Sequence, residues 1–444
     1  MWTILPKVEL DNFLQTHPKL QRHDGGYFLH DDGEYIFLPR HFVTSYPFDR
    51  YIVHIDEAFK AETIDIEFTG ELRPEQKPAV NTFINEYQTH NFTSGILQAR
   101  PGFGKTVSGA YLTCTLKQKT LIILDNSKLL EQWVDAYKTF TTLTEDDIGI
   151  IQGKKFESDK PVAIAMVQTL LSKVKRDLKE FYIKMKDAGY GLVLYDEVHK
   201  TSSAPKFASS TLLLNTRNII GLSATPFAID LNQILLYNTI GEIKYFSKDY
   251  ELVPKVYYIN YDSELGAKYG RRMNMSFDYI KKISFYNSVI HKSTKYLSII
   301  YDLVLKLKEK EHRTIVIVST IKQVEAVIDY LGVNGIRAKP FYSKEKDIDK
   351  VNDKIIVATY KMAGTGFDYK ELSALILACP LKGKVSLIQT IGRILRSCEG
   401  KRDPVVFDLI DRAFGKTFVS SIPTKTKILT DEFGMKSSFK ELYI

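Results

Sequence analysis

Two short runs carry most of the chemical information in this 444-residue chain. Ala99-Arg100-Pro101-Gly102-Phe103-Gly104-Lys105-Thr106 follows an apolar run and opens a helix-period segment, so backbone N–H groups and a helix N-terminus can face a triphosphate. Gly102 and Gly104, on either side of Phe103, permit close backbone approach. Lys105 can reach β- and γ-phosphates, and the Thr106 hydroxyl can bind Mg²⁺. Ala99 departs from the general pattern, which has glycine there. The second run, Asp196-Glu197-Val198-His199, ends the apolar stretch Leu192-Val193-Leu194-Tyr195. Asp196 is placed to hold Mg²⁺ and Glu197 to orient and deprotonate an attacking water, so the pair predicts hydrolysis rather than nucleotide binding alone.

Such groups need rigid elements beneath them. From Ser94 onward, apolar runs at 95–99, 120–124, 162–167, 191–196 and 219–224 alternate with helix-period stretches such as 128–137, the pattern of a parallel sheet covered by helices on both faces. A second series follows at 314–319, 354–359, 374–379 and 405–409. Ile321, Val324, Val327, Ile328 and Leu331 between its first two runs recur at the spacing of a crossover helix. The predicted fold is therefore α/β, with two tandem doubly wound parallel-sheet lobes. Residues 1–65, rich in Tyr, Phe, His and Asp with turn signals at 24–26 and 31–33, predict a small N-terminal accessory domain. Residues 66–247 form the first lobe, 248–295 a connector or insertion, and 296–444 the second lobe.

The composition, 44% hydrophobic and 26% charged, fills several cores and excludes a largely disordered chain. The balance of 61 Lys+Arg against 53 Asp+Glu, a net +8, is compatible with a polyanionic partner without establishing one. Cys114, Cys379 and Cys398 are too scattered for a zinc site or a disulfide framework and suit a reducing compartment. The start has no signal-peptide pattern, and no apolar run approaches the roughly 18 residues of a membrane span. The expectation is a cytoplasmic protein with no membrane partner.

Taken in order, motifs from Leu72 to Arg396 resemble those of the superfamily 2 helicases, whose two lobes are RecA-like. Leu72-Arg73-Pro74-Glu75-Gln76 resembles the adenine-reading motif, in which Gln76 would pair with the base edge and Arg73 stack on the ring. The resemblance makes ATP, with Mg²⁺, the implied cofactor. Ser223-Ala224-Thr225 resembles the motif that couples hydrolysis to motion, through His199. Gln389-Thr390-Ile391-Gly392-Arg393-Ile394-Leu395-Arg396 resembles the arginine-finger motif, making Gln389, Arg393 and Arg396 catalytic. Gly364-Thr365-Gly366-Phe367-Asp368 resembles the motif that senses nucleotide through Gly366 and Asp368 and nucleic acid through Thr365. The implied engine binds ATP in a cleft between lobes, and its closure and opening convert hydrolysis into motion.

Three further segments resemble the family's nucleic-acid contacts: Asn126 and Lys128, Gln168 and Thr169, and the pair formed by Ser319-Thr320 with Thr359-Tyr360-Lys361. Each residue could equally be an ordinary helix cap. Gly270-Arg271-Arg272 through Phe285-Tyr286 offers basic and aromatic side chains for a strand-separating or duplex-guiding element, with a charged connector helix as the alternative. The motif variants are most similar to DNA-acting members, the compact tailed-phage UvsW-type enzymes related to the XPB and type III restriction motors. That likeness implies a DNA helicase acting on branched or forked duplex with single-stranded regions in phage replication, recombination or repair. A restriction-system motor subunit, an RNA helicase and an ATP-gated nucleic-acid clamp are the alternatives.

Overall fold

Apolar, β-branched runs become the strands of two parallel sheets, one in each of the two units of the computed structural model, Met1–Ser247 and Lys248–Ile444. The described residues are 2–6, 30–31, 35–38, 54–56, 60–198, 214, 216–224, 233–247, 250, 252–274, 279–342, 354–363, 369–381, 383–396, 398–434 and 439–444. For residues before 60, and for 178, 233–235, 270–274, 279, 361, 363 and 416–417, only the backbone is described.

The first unit opens with a four-stranded antiparallel sheet of β1 (Trp2–Pro6), β2 (His30–Asp31), β3 (Tyr35–Leu38) and β4 (His54–Asp56), in the order β2-β3-β1-β4. An eight-stranded sheet follows. Its strands are β5 (Ser94–Ala99), β6 (Thr120–Leu124), β7 (Ile148–Gln152), β8 (Lys155–Phe156), β9 (Val162–Met166), β10 (Leu192–Asp196), β11 (Asn218–Ser223) and β12 (Ile243–Ser247). Their order is β12-β5-β11-β10-β6-β9-β7-β8, and only the β7–β8 hairpin is antiparallel. Strands buried on both faces are apolar almost throughout: β9 is entirely so, and β6 at every position after Thr120. In β6, Ile122 and Leu124 enter the core under α1 (Gln76–His90), α2 (Lys105–Leu116) and α3 (Ser127–Phe140). Leu121 and Ile123 point to the other core, under α4 (Val167–Arg176), α5 (Leu178–Asp187) and α6 (Gln233–Thr239).

The second unit holds seven strands, β13 (Lys255–Tyr261), β14 (Thr314–Val318), β15 (Lys339–Phe341), β16 (Ile355–Thr359), β17 (Ala374–Leu377), β18 (Val405–Asp411) and β19 (Phe439–Tyr443). All neighbours are parallel in the order β15-β16-β14-β17-β18-β13-β19. Helices α7 (Leu265–Asn274), α8 (Tyr279–Val289), α9 (Thr294–Glu309), α10 (Ile321–Val333), α11 (Lys384–Gly392) and α12 (Ser421–Phe433) belong to this unit.

The 248–295 stretch differs from the connector expected of it. Its strand β13 lies inside the second sheet, between β18 and β19. Tyrosines obscured that strand in the sequence, yet Tyr258 and Tyr261 are buried because each hydroxyl finds a partner, Thr426 at 3.0 Å and the Tyr286 hydroxyl at 3.1 Å. The same contacts correct the reading of Phe285-Tyr286 as a stacking platform. Tyr286 is 3% exposed and Phe285 packs on the core edge against Tyr269, with ring centroids 5.6 Å apart. Arg271 and Arg272 lie on α7, with side chains outside the described set.

Candidate active site

The phosphate loop leaves the C-terminal end of β5 and enters α2. Gly102 and Gly104 take left-handed backbone angles, φ +81° and +85°, which glycine adopts without penalty. A side chain on Gly104 is excluded for a second reason, because its Cβ would collide with the Gln76 amide and lie 2.9 Å from Arg73 Nη2. Phe103 is fully buried beside Tyr245, so its side chain anchors the loop from below instead of meeting a ligand. Lys105 Nζ donates to the carbonyls of Ala99 at 3.0 Å and Arg100 at 3.3 Å, placing the ammonium over the loop. Thr106, half-buried, occupies the first turn of α2.

Arg73 and Gln76 are placed differently from the adenine-reading expectation. Gln76 is 2% exposed; its Oε1 accepts from the Arg73 backbone N–H at 2.8 Å, and its Nε2 donates to the carbonyls of Phe103 at 3.0 Å and Gly104 at 3.2 Å. Arg73 Nη2 donates to Gly102 O at 3.0 Å and to Phe103 O, while Nη1 pairs with Glu75 at 3.2 Å. Both Gln76 donors and the Arg73 fork are thus engaged with the loop's backbone. A buried amide must satisfy its polar atoms, and Gln76 does so on two loop carbonyls, of which that of Gly104 also accepts from Ser108 N at 3.0 Å.

The carboxylates stand at the end of β10, with β11 between that strand and β5. Asp196 Oδ2 accepts from Trp133 Nε1 at 2.8 Å, and Oδ1 accepts from the Glu197 backbone N–H at 2.9 Å. Burial, then the neighbouring Glu197 charge, pushes the Asp196 carboxyl up to about 6, against the lowering influence of Trp133 and Lys105. Glu197 holds a left-handed φ of +51°, unusual for a non-glycine residue. Val198 fixes that turn. It is fully buried, donates its N–H to Leu222 O at 3.1 Å, and fills the space over Gly221 where any Cβ would sit 3.1 Å from its Cγ2.

Sequence reasoning missed Trp133. Its indole is fully buried on α3 and lies where a Cβ on Gly109 would come within 2.7 Å. The available signal was one of only two tryptophans on a helix facing the sheet, since a buried indole N–H requires an acceptor. Gln98 was missed as well; its Nε2 donates to Ala224 O at 3.3 Å, tying β5 to the end of β11, where Ser223 is fully buried. His199 and Thr225, the proposed coupling residues, lie outside the described residues.

The donor set fits a divalent cation carried with phosphates. Among the described residues no group of three or more His, Cys, Asp or Glu could hold a metal. A carboxylate and a threonine hydroxyl are donor types that suit Mg²⁺, which binds through one or two protein carboxylates plus substrate phosphates, and each Asp196 oxygen keeps a further lone pair.

In the second unit, Gln389, Arg393 and Arg396 follow one another at intervals of four and three along α11 and the 3₁₀ turn after it, and all three are half-buried. Burial lowers Arg396 to about 10, which leaves it cationic at neutral pH. Lys401 Nζ donates to Arg396 O and, at 3.0 Å, to Lys370 O. Gly366, Asp368 and Thr365 lie outside the described residues.

The candidate nucleic-acid residues occupy strand ends and helix starts. Asn126 caps α3, with Oδ1 accepting from the Lys128 N–H at 3.1 Å; Lys128 itself is exposed. Gln168 Nε2 donates to Asp125 O at 2.8 Å, and Thr169 Oγ1 accepts from Gly153 N at 3.0 Å. Thr320 caps α10 through Gln323 N at 3.3 Å, and Ser319 N donates to Gln323 Oε1 at 2.7 Å. Thr359, 8% exposed, ends β16, and only the backbone of Lys361 is described. No helix among the described residues is long and apolar enough to cross a membrane.

Residues 69–228 match the family described as type III restriction enzyme, res subunit, and residues 295–398 match the helicase conserved C-terminal domain. A protein of Acanthamoeba polyphaga mimivirus, named provisionally as an ATP-dependent RNA helicase, is 26% identical over 92% of this chain and 76% of its own length. The DNA 3′-5′ helicase XPB of Kineococcus radiotolerans is 36% identical over 42% of this chain and 32% of its own length. The ATP-dependent type ISP restriction-modification enzyme LlaBIII, solved bound to DNA, shares the fold with a TM-score of 0.59 at 14% identity, covering 95% of this chain and 33% of that one.

Proposed function

The chain belongs to the superfamily 2 helicases, and on that footing we propose that it is an ATP-driven DNA motor that unwinds or remodels branched DNA with 3′-to-5′ polarity. Its helicase domains imply ATP-dependent unwinding of nucleic acid. Fork regression, Holliday-junction migration and opening of D-loops or R-loops are the activities we assign to it. The observation that carries the reading is the Asp196-Glu197 pair, braced at a strand end by Trp133 and Val198 and close enough to Lys105 for that ammonium to influence Asp196.

Asp196 and Thr106 are the residues that would hold Mg²⁺, which when bound neutralises phosphate charge. Lys105 binds the phosphates. Glu197 orients the attacking water and accepts its proton, a role that its fixed backbone suits. Arg393 and Arg396 stabilise charge as the terminal phosphoryl group departs, so turnover draws on both lobes.

DNA is favoured over RNA by the motif variants, and the XPB relative, named a DNA 3′-5′ helicase, supports both the substrate and the polarity. The mimivirus relative's name supports RNA as the second reading. ATP hydrolysis measured with single-stranded DNA, duplex DNA, a four-way junction and RNA, with Glu197→Gln as the control, separates them. Marked stimulation by the junction, lost in the control, is expected. Stimulation by RNA alone would overturn the substrate assignment.

A further inference from the structure

Residues 153–187 carry nine Lys or Arg against five Asp or Glu, so 35 residues hold +4 of the chain's net +8. Three of those acids are occupied locally. Glu157 pairs with Lys155 at 3.0 Å and accepts from Ile150 N at 2.9 Å; Asp177 caps α5 through Glu180 N at 2.8 Å; and Glu180 pairs with Lys184 at 2.6 Å. Among the described residues, neither Lys173 nor Arg176 has a carboxylate within ion-pair distance. Both face a cleft of about 110 Å³ between the β7–β8 hairpin and the α4–α5 pair, whose walls also carry Lys184, Phe156, Phe181 and the locally engaged carboxylates Asp177 and Glu180.

The hairpin and helices form one piece. Thr169 Oγ1 accepts from Gly153 N at 3.0 Å, pinning the hairpin to the first turn of α4, beside Gln168. From Gln168 to Arg176 that helix rises about 12 Å, a length over which duplex DNA presents about seven phosphates counting both strands. Aromatic rings are withheld from the surface. Phe181 is 3% exposed, and the Phe156 ring has the ammonium groups of Lys173 and Lys184 at 5.6 and 5.7 Å from its centroid. Sites for single strands combine cations with open stacking platforms, whereas a net-basic surface whose rings are already covered by ammonium groups matches phosphates rather than bases.

We propose that the cleft and its basic rim, centred on Lys173 and Arg176, bind the phosphate backbone of a duplex DNA arm, extending beyond the motif residues Gln168 and Thr169. The proposal rests on the DNA-motor reading, and its test separates the two. Lys173→Gln/Arg176→Gln is made in the full chain, with Lys306→Gln/Lys308→Gln, two exposed lysines of α9, as the control for generic charge loss. Affinities for blunt duplex DNA and for oligo-dT are measured across a salt series, beside oligo-dT-stimulated ATP hydrolysis. For the cleft variant, the duplex dissociation constant should rise about tenfold or more, and the logarithmic salt slope should shrink by about two. Its oligo-dT affinity and ATPase should stay within about twofold, and the α9 control should match the unmodified chain. Unchanged duplex affinity and slope would overturn the proposal, as would equal loss for both DNAs or an equal effect of the α9 control. Failure of the unmodified chain to bind any DNA would overturn the motor reading and this proposal with it.

Discussion

In the first lobe the Asp196 carboxylate is held by hydrogen bonds from its neighbours. Trp133 and the Glu197 N–H clasp both Asp196 oxygens, Val198 plugs the turn, and Gln76 and Arg73 secure the loop from which Lys105 extends. In the second lobe, Gln389, Arg393 and Arg396 are long side chains along one helix and its following turn. Burial and the Glu197 charge push the Asp196 carboxyl up to about 6 in the metal-free protein, and the Trp133 hydrogen bond opposes that rise. A guanidinium lowered to about 10 is still charged at neutral pH.

Four variants break or sharpen that contrast. Glu197→Gln removes the proton acceptor and should lower kcat by roughly 10³ while ATP binding persists, read by steady-state hydrolysis and nucleotide titration. Trp133→Phe keeps the packing against Gly109 but deletes the bond to Asp196. It should cost about tenfold in kcat and move the acid limb of the rate profile to higher pH, because that bond lowers the Asp196 pKa. The sign also governs stability. With the folded value raised from 3.8 to about 6, the Asp196 contribution to the metal-free protein is full below 3.8 and is lost as pH rises through about 6. Thermal melts should show that loss, and in Trp133→Phe it should extend to higher pH.

Gln76→Ala leaves the carbonyls of Phe103 and Gly104 without this donor and should raise the KM for ATP about fivefold, with kcat less affected. Smallest is the effect of Arg271→Gln/Arg272→Gln on α7. Strand displacement should fall about twofold to threefold with basal ATPase unchanged, and equal loss of both would remove α7 as a duplex guide.

The phosphate loop, the acidic pair and the strands beneath them were legible because local chemistry dictates them: glycines at left-handed angles, and apolar runs buried on both faces. β13 was not, since its tyrosines become core only through hydroxyl partners far along the chain at Tyr286 and Thr426. Trp133 stayed hidden for the same reason, its partner lying 63 residues away. Gln76 and Arg73 were found by type and position; in the structure the buried Gln76 amide takes loop carbonyls as its acceptors, and the exposed Arg73 shares that of Phe103. The hairpin β7–β8 went unread, and with it the surface it shares with α4 and α5.

The central proposal is that hydrolysis needs Arg396 as well as Asp196 and Glu197. Nucleotide binding and DNA-stimulated turnover measured side by side in Arg396→Ala test it most directly. ATP should bind within a few-fold of the unmodified affinity while turnover falls by about 10³, as loss of an arginine finger demands. Hydrolysis at the unmodified rate would contradict the account.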